Sequence, residues 1–188
     1  MSRHVPRRGL SRNRFVAAAV GVGMAACMAV LMTPSPAAAI PPGGCLADVY
    51  NPQVDHGQTH QKVEPTQMVQ NNNPTSIPVT FTSSVSATVS STASKTTSGS
   101  GGINIGIVNT SVQVTYGYSV THSATTQIGI SVGPMTLPAG KIQFGDYGVF
   151  RQQTSGIYMH DFGCNGVYEQ YGIVAYSVRG VGWKVWQN

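Results

Sequence analysis

The chain has 188 residues, with 11 Lys and Arg, 6 Asp and Glu, and a formal net charge of +5. Five of the basic residues (Arg3, Arg7, Arg8, Arg12 and Arg14) precede an apolar run, FVAAAVGVGMAACMAVLM, that closes in TPSPAAA. That order predicts a secretory signal cut after Ala39, with a permanent membrane helix as the competing reading. The cut leaves six basic and six acidic residues, and a neutral chain removes the charge argument for a nucleic-acid partner.

The 149 residues after Ala39 suffice for one domain with a modest core. Two cysteines remain, Cys45 and Cys164. In an oxidising compartment they predict one disulfide, a bridge to another chain being the alternative.

Residues 40–78, IPPGGCLADVYNPQVDHGQTHQKVEPTQMVQNNNPTSIP, are rich in Pro, Gln and Asn and carry no sustained helical period. They read as an extended N-terminal arm, packed locally through Leu46, Val49 and Tyr50 or docking a partner through them. His56 and His60 have the i, i+4 spacing of a helical metal site, but Gly57 and the Asn, Gln and Pro around them speak against a helix.

Residues 79–188 predict an all-β domain. VTFTSSVSATVSSTASKT (79–96) alternates hydroxyls with Val79, Phe81, Val85, Ala87, Val89 and Ala93, which is the period of a strand. The glycine-rich break SGSGG (98–102) follows. INIGIV then places Ile103, Ile105 and Ile107 on one parity, and after Asn109-Thr110 the alternation resumes with Val112, Val114, Tyr116, Tyr118 and Val120. The interruption reads as a two-residue tip, making 103–116 an amphipathic hairpin; no helix is expected after the signal.

From Gly133 onward GPMTLPAGK reads as a hinge. The shorter strands IQFGDYGVF, GIYMHDF, VYEQYGIVAYSV and VGWKVWQ follow, broken by Gly145, Gly156, Gly163, Gly166, Gly172 and Gly180. Trp183 and Trp186 supply bulk to a core that Ser/Thr strands lack, or a surface on which a glycan stacks.

Catalysis is not indicated. There is no G-x-S-x-G elbow, the six carboxylates suggest no pair, and SGSGG lacks the Lys and the strand-to-helix setting of a phosphate loop. No cofactor is expected.

A strand that is wet on one parity and apolar on the other, held for about three times the usual length, suits a solvated β-domain or a hairpin that crosses a bilayer within a closed barrel. TFTSSVSATVSSTASKTTSG, then GINIGIVNTSVQVTYG, then YSVTHSATTQIGISV and MTLPAGKIQFGDYGVF resembles the elongated domain of aerolysin-like β-pore-forming proteins. In that family Ser/Thr-alternating strands flank an insertion hairpin, and a Pro-Gly turn leads to the next strand, which Pro138-Ala139-Gly140-Lys141 resembles. The resemblance spans about residues 79–160. It implies an elongated, twisted antiparallel sheet or sandwich, a secreted membrane-active or toxin-associated protein acting as a homo-oligomer, and Ile103, Ile105, Ile107, Val112, Val114 and Tyr116 as the insertion hairpin. The alternative expectation is a non-lytic adaptor subunit of a secreted toxin complex, docking its protein partner through the arm. Target-cell membrane or surface glycan are the remaining partners to be expected.

Overall fold

The computed structural model of the chain describes residues 44–97, 102–161 and 163–188, all within the compact unit Ala39–Asn188. The export signal expected over 1–39, and residues 98–101 of the glycine-rich break, lie outside the described residues. In chain order the elements are β1 (Val49–Lys62), β2 (Gln67–Gln70), β3 (Ile77–Thr82), β4 (Thr88–Ser90), β5 (Thr92–Lys95), α1 (Ile105–Tyr116), β6 (Ser123–Thr125), β7 (Ser131–Leu137), β8 (Ile142–His160) and β9 (Glu169–Gln187). The described protein is mostly β, and every ladder is antiparallel.

The frame is the hairpin β8–β9. Its two strands of 19 residues pair from Gln143↔Gln187 to His160↔Glu169, a length of about 60 Å at the usual rise. The sequence divides this region into short strands because it carries many glycines, yet most of those glycines lie inside the ladder where another group comes close. A Cβ on Gly145 would stand 2.6 Å from the Phe81 ring, so that ring lies flat on the sheet only because Gly145 has no side chain.

The order of the main sheet is β1-β8-β9-β5, with β2 also on β8. The N-terminal arm expected over 40–78 is therefore corrected: β1 pairs with β8 from Val49↔Met159 to Lys62↔Gly148. An edge strand binds mainly through its backbone and has no need of an apolar alternation. Its Pro and Gly stand where an edge tolerates them, beside register shifts at Pro52/Val54 and Asp55/Gly57. Cys45 and Cys164 are bonded to each other, tying the start of β1 to the β8–β9 loop.

The Ser/Thr run forms one side of a ribbon. β3 pairs with β7 and β4 with β6. Between these ladders Ser83 N–H donates to Ile130 O and Ala87 N–H to Thr126 Oγ1; past them Ser91 N–H donates to His122 O. Residues 81–91 thus lie against 122–132 in one register, interrupted where no strand is formed at 83–87. The alternation read from the sequence is reproduced by burial. Thr80, Thr82, Ser84, Ser86, Thr88, Ser90, Thr92, Ser94 and Thr96 are all exposed, whereas Val79, Phe81, Ser83, Val89 and Ser91 are buried. The strand alternation expected from Val112 to Val120 is corrected: residues 105–116 are helical.

Three apolar clusters result. Val79, Phe81 and Leu137 pack with Trp183 and Met135; Val89 packs with Val149 and Val178; Tyr50, Tyr158, Ile173 and Ala175 pack with Val108 and Val112 of the helix. Apart from Gly148, the buried residues of β8 are Gln143, Gly145, Tyr147 and Val149 toward the ribbon, and Gln152, Thr154, Gly156 and Tyr158 toward the helix. This change of parity coincides with an extra residue in β9, where Phe150 pairs with Gly180 and Arg151 with Val178.

Candidate functional site: the helix between the hydroxyl strands

The hairpin expected over 103–116 is an α-helix in this structure. Asn104 caps it, its Oδ1 accepting from Gly106 N–H (3.0 Å) and Ile107 N–H (3.4 Å). Gly117 ends it in the left-handed region at φ 72°, its N–H bonded to Gln113 O. Ile105, Val108, Asn109, Val112 and Tyr116 recur at helical spacing and face the sheet; Val108 and Val112 are fully buried. Val114 points outward and is 80% exposed. The strand parity read from the sequence and this helical face share Ile105, Val112 and Tyr116, which is why one pattern could be mistaken for the other. The bracketing residues Asn104 and Gly117 are the signals that identify the helix.

The helix is an unusual one by composition. Seven of the twelve residues in IGIVNTSVQVTY are β-branched and one is glycine, while Ala, Leu, Glu and Lys are missing. No acidic residue stands in its first turn and no basic one in its last. Propensity therefore opposes it, and packing on the sheet must hold it.

That packing includes a polar flaw. Asn109 is 5% exposed on the sheet-facing side. Its amide nitrogen donates to Thr121 O (3.3 Å) and Ser91 Oγ (3.4 Å), but its Oδ1 is buried with no partner. An acceptor left unbonded in a core costs about 1–3 kcal/mol.

Both ends of the helical segment are fastened through a tyrosine to an aspartate at or near β1. At the start, Asn104 N–H donates to Tyr158 Oη (2.8 Å), whose hydroxyl donates to Asp48 Oδ2 (2.7 Å); His160 Nδ1 lies 2.5 Å from Asp48 Oδ1. At the end, Tyr118 donates to Asp55 Oδ2 (2.6 Å). Asp55 Oδ1 accepts from Gly57 N–H and from Gln152 Nε2, and Gln152 Oε1 accepts from Arg179, which also lies over the Tyr118 ring at 4.5 Å. Burial and the Asp48 charge keep the Tyr158 hydroxyl protonated far above the ordinary range, although the Asn104 amide pulls the other way. Desolvation alone would raise the Asp55 pKa, but the bonds from Tyr118, Gly57 and Gln152 carry it below 3.8. None of these four anchoring residues stands out in the sequence, because Asp48 and Tyr158 are 110 positions apart and Asp55 and Tyr118 are 63.

The other residues singled out from the sequence are scattered. Ile103, Ile105 and Ile107 are half-buried and pack with the helix cluster. Tyr50 is buried under the helix, Val49 is exposed on the β1 edge, and Leu46 N–H caps Asp161. Trp183 stacks on Phe81 (5.9 Å) and Tyr147 (5.0 Å) and donates to Ile130 O, so its ring serves the ribbon core. Trp186 stacks on Phe144 at 5.3 Å and remains 36% exposed. His56 and His60 sit in a strand, His56 bonded to Ser155 and His60 packed on Phe150. Among the described residues no group of three His, Cys, Asp or Glu side chains could hold a metal ion. No described helix is long and apolar enough to cross a membrane.

The chain matches no protein-family model, and no curated protein is significantly similar to it in sequence.

Proposed function

We propose that the chain is a secreted, non-catalytic, membrane-active protein of the aerolysin-like kind. It acts as a homo-oligomer, with residues 96–121 as the part that refolds from helix to hairpin on a target membrane and residues 1–39 as its export signal. One observation carries the reading: a helix built from strand-forming residues is bracketed by the two arms of a hydroxyl-faced ribbon, 81–91 and 122–132, that pair in one register. A local preference at odds with the folded state marks a segment that has a second state available.

The register makes the second state specific. The ribbon pairs Thr88 with Thr125 and Ser90 with Ser123. Continued in the same steps, it pairs Ile103 with Thr110 and Ile105 with Val108, and turns at Gly106-Ile107, a Gly-X pair suited to a two-residue hairpin. The tip then lies three residues before the Asn109-Thr110 pair suggested by the alternation alone. In this register Val108, Thr110, Val112, Val114, Tyr116, Tyr118 and Val120 share a face with Ile103 and Ile105, Thr110 being its polar member beside the tip. Asn104, Asn109, Ser111, Gln113, Thr115, Ser119 and Thr121 take the other. Each arm has about ten residues, the length a tilted strand needs to cross the hydrocarbon of a bilayer. Several copies closing a barrel would pair every backbone amide and put the hydroxyl face in the lumen.

The test is dye release from liposomes by protein lacking residues 1–39, with electron microscopy of the same membranes. Leakage together with ring-shaped oligomers is expected. A protein that stays monomeric and leaves vesicles of varied composition intact from pH 4 to 8 would overturn the proposal.

A further inference from the structure

The two fastenings at the ends of the helix have one chemistry and one origin. Each is a tyrosine hydroxyl donated to a carboxylate, and both carboxylates lie at or near the start of β1, Asp48 just before it and Asp55 within it. One tyrosine reaches the helix from the sheet: Tyr158 is buried on β8 and accepts the backbone N–H of Asn104, the capping residue. The other belongs to the moving side: Tyr118 is the residue after the Gly117 cap and reaches back to β1. Between these points the helix is held by apolar contact, chiefly of Val108 and Val112, and by the Asn109 amide nitrogen's bonds to Thr121 O and Ser91 Oγ, with the Asn109 Oδ1 left unpartnered.

We infer that these two tyrosine–aspartate bonds are clasps that set how readily α1 leaves the sheet, independently of the stability of β8–β9. The inference rests on reading α1 as a segment that is released, and it assigns Asp48, Asp55, Tyr118 and Tyr158 to its control. The clasp residues are positioning residues: they touch neither membrane nor lumen face in the helical state, and they act by fixing where Asn104 and Gly117 stand. The asymmetry of the two ends also follows. Loss of the Tyr158 hydroxyl strands the Asn104 N–H as well as an Asp48 oxygen. Loss of the Tyr118 hydroxyl removes the bond to Asp55 Oδ2, with Gln152 and Gly57 still on Oδ1, but strands no backbone N–H of the helix cap. The first clasp is therefore the stronger one.

Hydrogen exchange in the absence of membranes tests this directly. In Tyr158→Phe and Tyr118→Phe the rings remain and only the hydroxyls go. The helix amides from Val108 to Gln113 are expected to exchange roughly ten- to a hundredfold faster in Tyr158→Phe and about tenfold faster in Tyr118→Phe. Amides at the centre of β8–β9, such as those of Val149 and Ile173, keep their rates. Asp48→Asn and Asp55→Asn carry the same comparison should a phenylalanine variant fail to fold. Changes below twofold at the helix, or helix amides that exchange at the β8–β9 rate in every protein, would overturn the inference. The readout is separate from the membrane reading. Faster helix exchange without any dye release retains the clasps and removes the membrane role. Dye release unchanged alongside unchanged exchange removes the clasps and retains the membrane role.

Discussion

Asp55 receives three hydrogen bonds from two elements and a turn, and its charge is what those donors require. Asp161 does the same for the β8–β9 loop, accepting the N–H groups of Leu46, Asn165 and Gly166. Those bonds hold its pKa below 3.8 against a smaller opposing effect of burial. A carboxylate whose folded pKa is depressed stabilises the fold above its unfolded value, about 3.9, and that contribution disappears as pH falls through the lower folded value. His60 adds a second step of the same sign. Burial against Phe150 lowers its pKa, so protonation in the unfolded chain draws stability away as pH falls below about 6.5. Urea midpoints measured from pH 8 to pH 2.5 are therefore expected to fall gently near pH 6 and steeply below pH 4. Asp55→Asn should flatten the steep part. A midpoint that is constant or rises below pH 4 would contradict this picture of the two carboxylates.

At the scale of elements, α1 is a helix that its own residues do not favour, and Asn109 is where that conflict is most exposed to test. Replacing its half-satisfied amide by an apolar group of similar size removes the cost of the unpartnered Oδ1 and fills the same space. Asn109→Leu is expected to stabilise the helical state by about 1 kcal/mol and to slow dye release several-fold at equal lipid concentration. Faster release, or a destabilised protein, would show that the bonds to Thr121 O and Ser91 Oγ outweigh the orphaned oxygen. Much of the neighbouring ribbon was legible beforehand. The hydroxyl parity from Thr80 to Thr96 is the exposed parity in every described position, because alternation is a local property that a half-buried strand preserves. The helix was hidden for the same reason: Ile105, Val112 and Tyr116 satisfy periods of two and of 3.6 together, and only the caps Asn104 and Gly117 separate the readings. β1 was hidden because an edge strand is held by backbone bonds that composition does not record. The length of β8 and β9 was hidden because glycines such as Gly145 mark close approach as readily as they mark turns. The clasps depend on contacts between distant positions and leave no local trace.

At the scale of the molecule, the parts divide between a frame and a cargo. The frame is β1, β8 and β9, closed at one end by Cys45–Cys164. The cargo is the stretch from Thr96 to Thr121, which leaves the frame beside β5 and rejoins it at the Thr121↔Val178 bridge. In the proposed function, the frame stays folded while the clasped segment moves, and the helix-bearing monomer passes to an oligomer that is apolar on one face of a new barrel. The Ser/Thr strands suit both proposed forms, since their hydroxyls are exposed in the described fold and would line a watery channel after the proposed change. The most direct measurement places single cysteines at positions 112 to 116, each carrying an environment-sensitive fluorophore, and reads quenching by a spin-labelled lipid after membrane binding. Quenching at 112, 114 and 116 with none at 113 and 115 is the expected result. Quenching that repeats every three to four residues, or is lacking at all five, would mean that the helix never becomes a strand in the membrane.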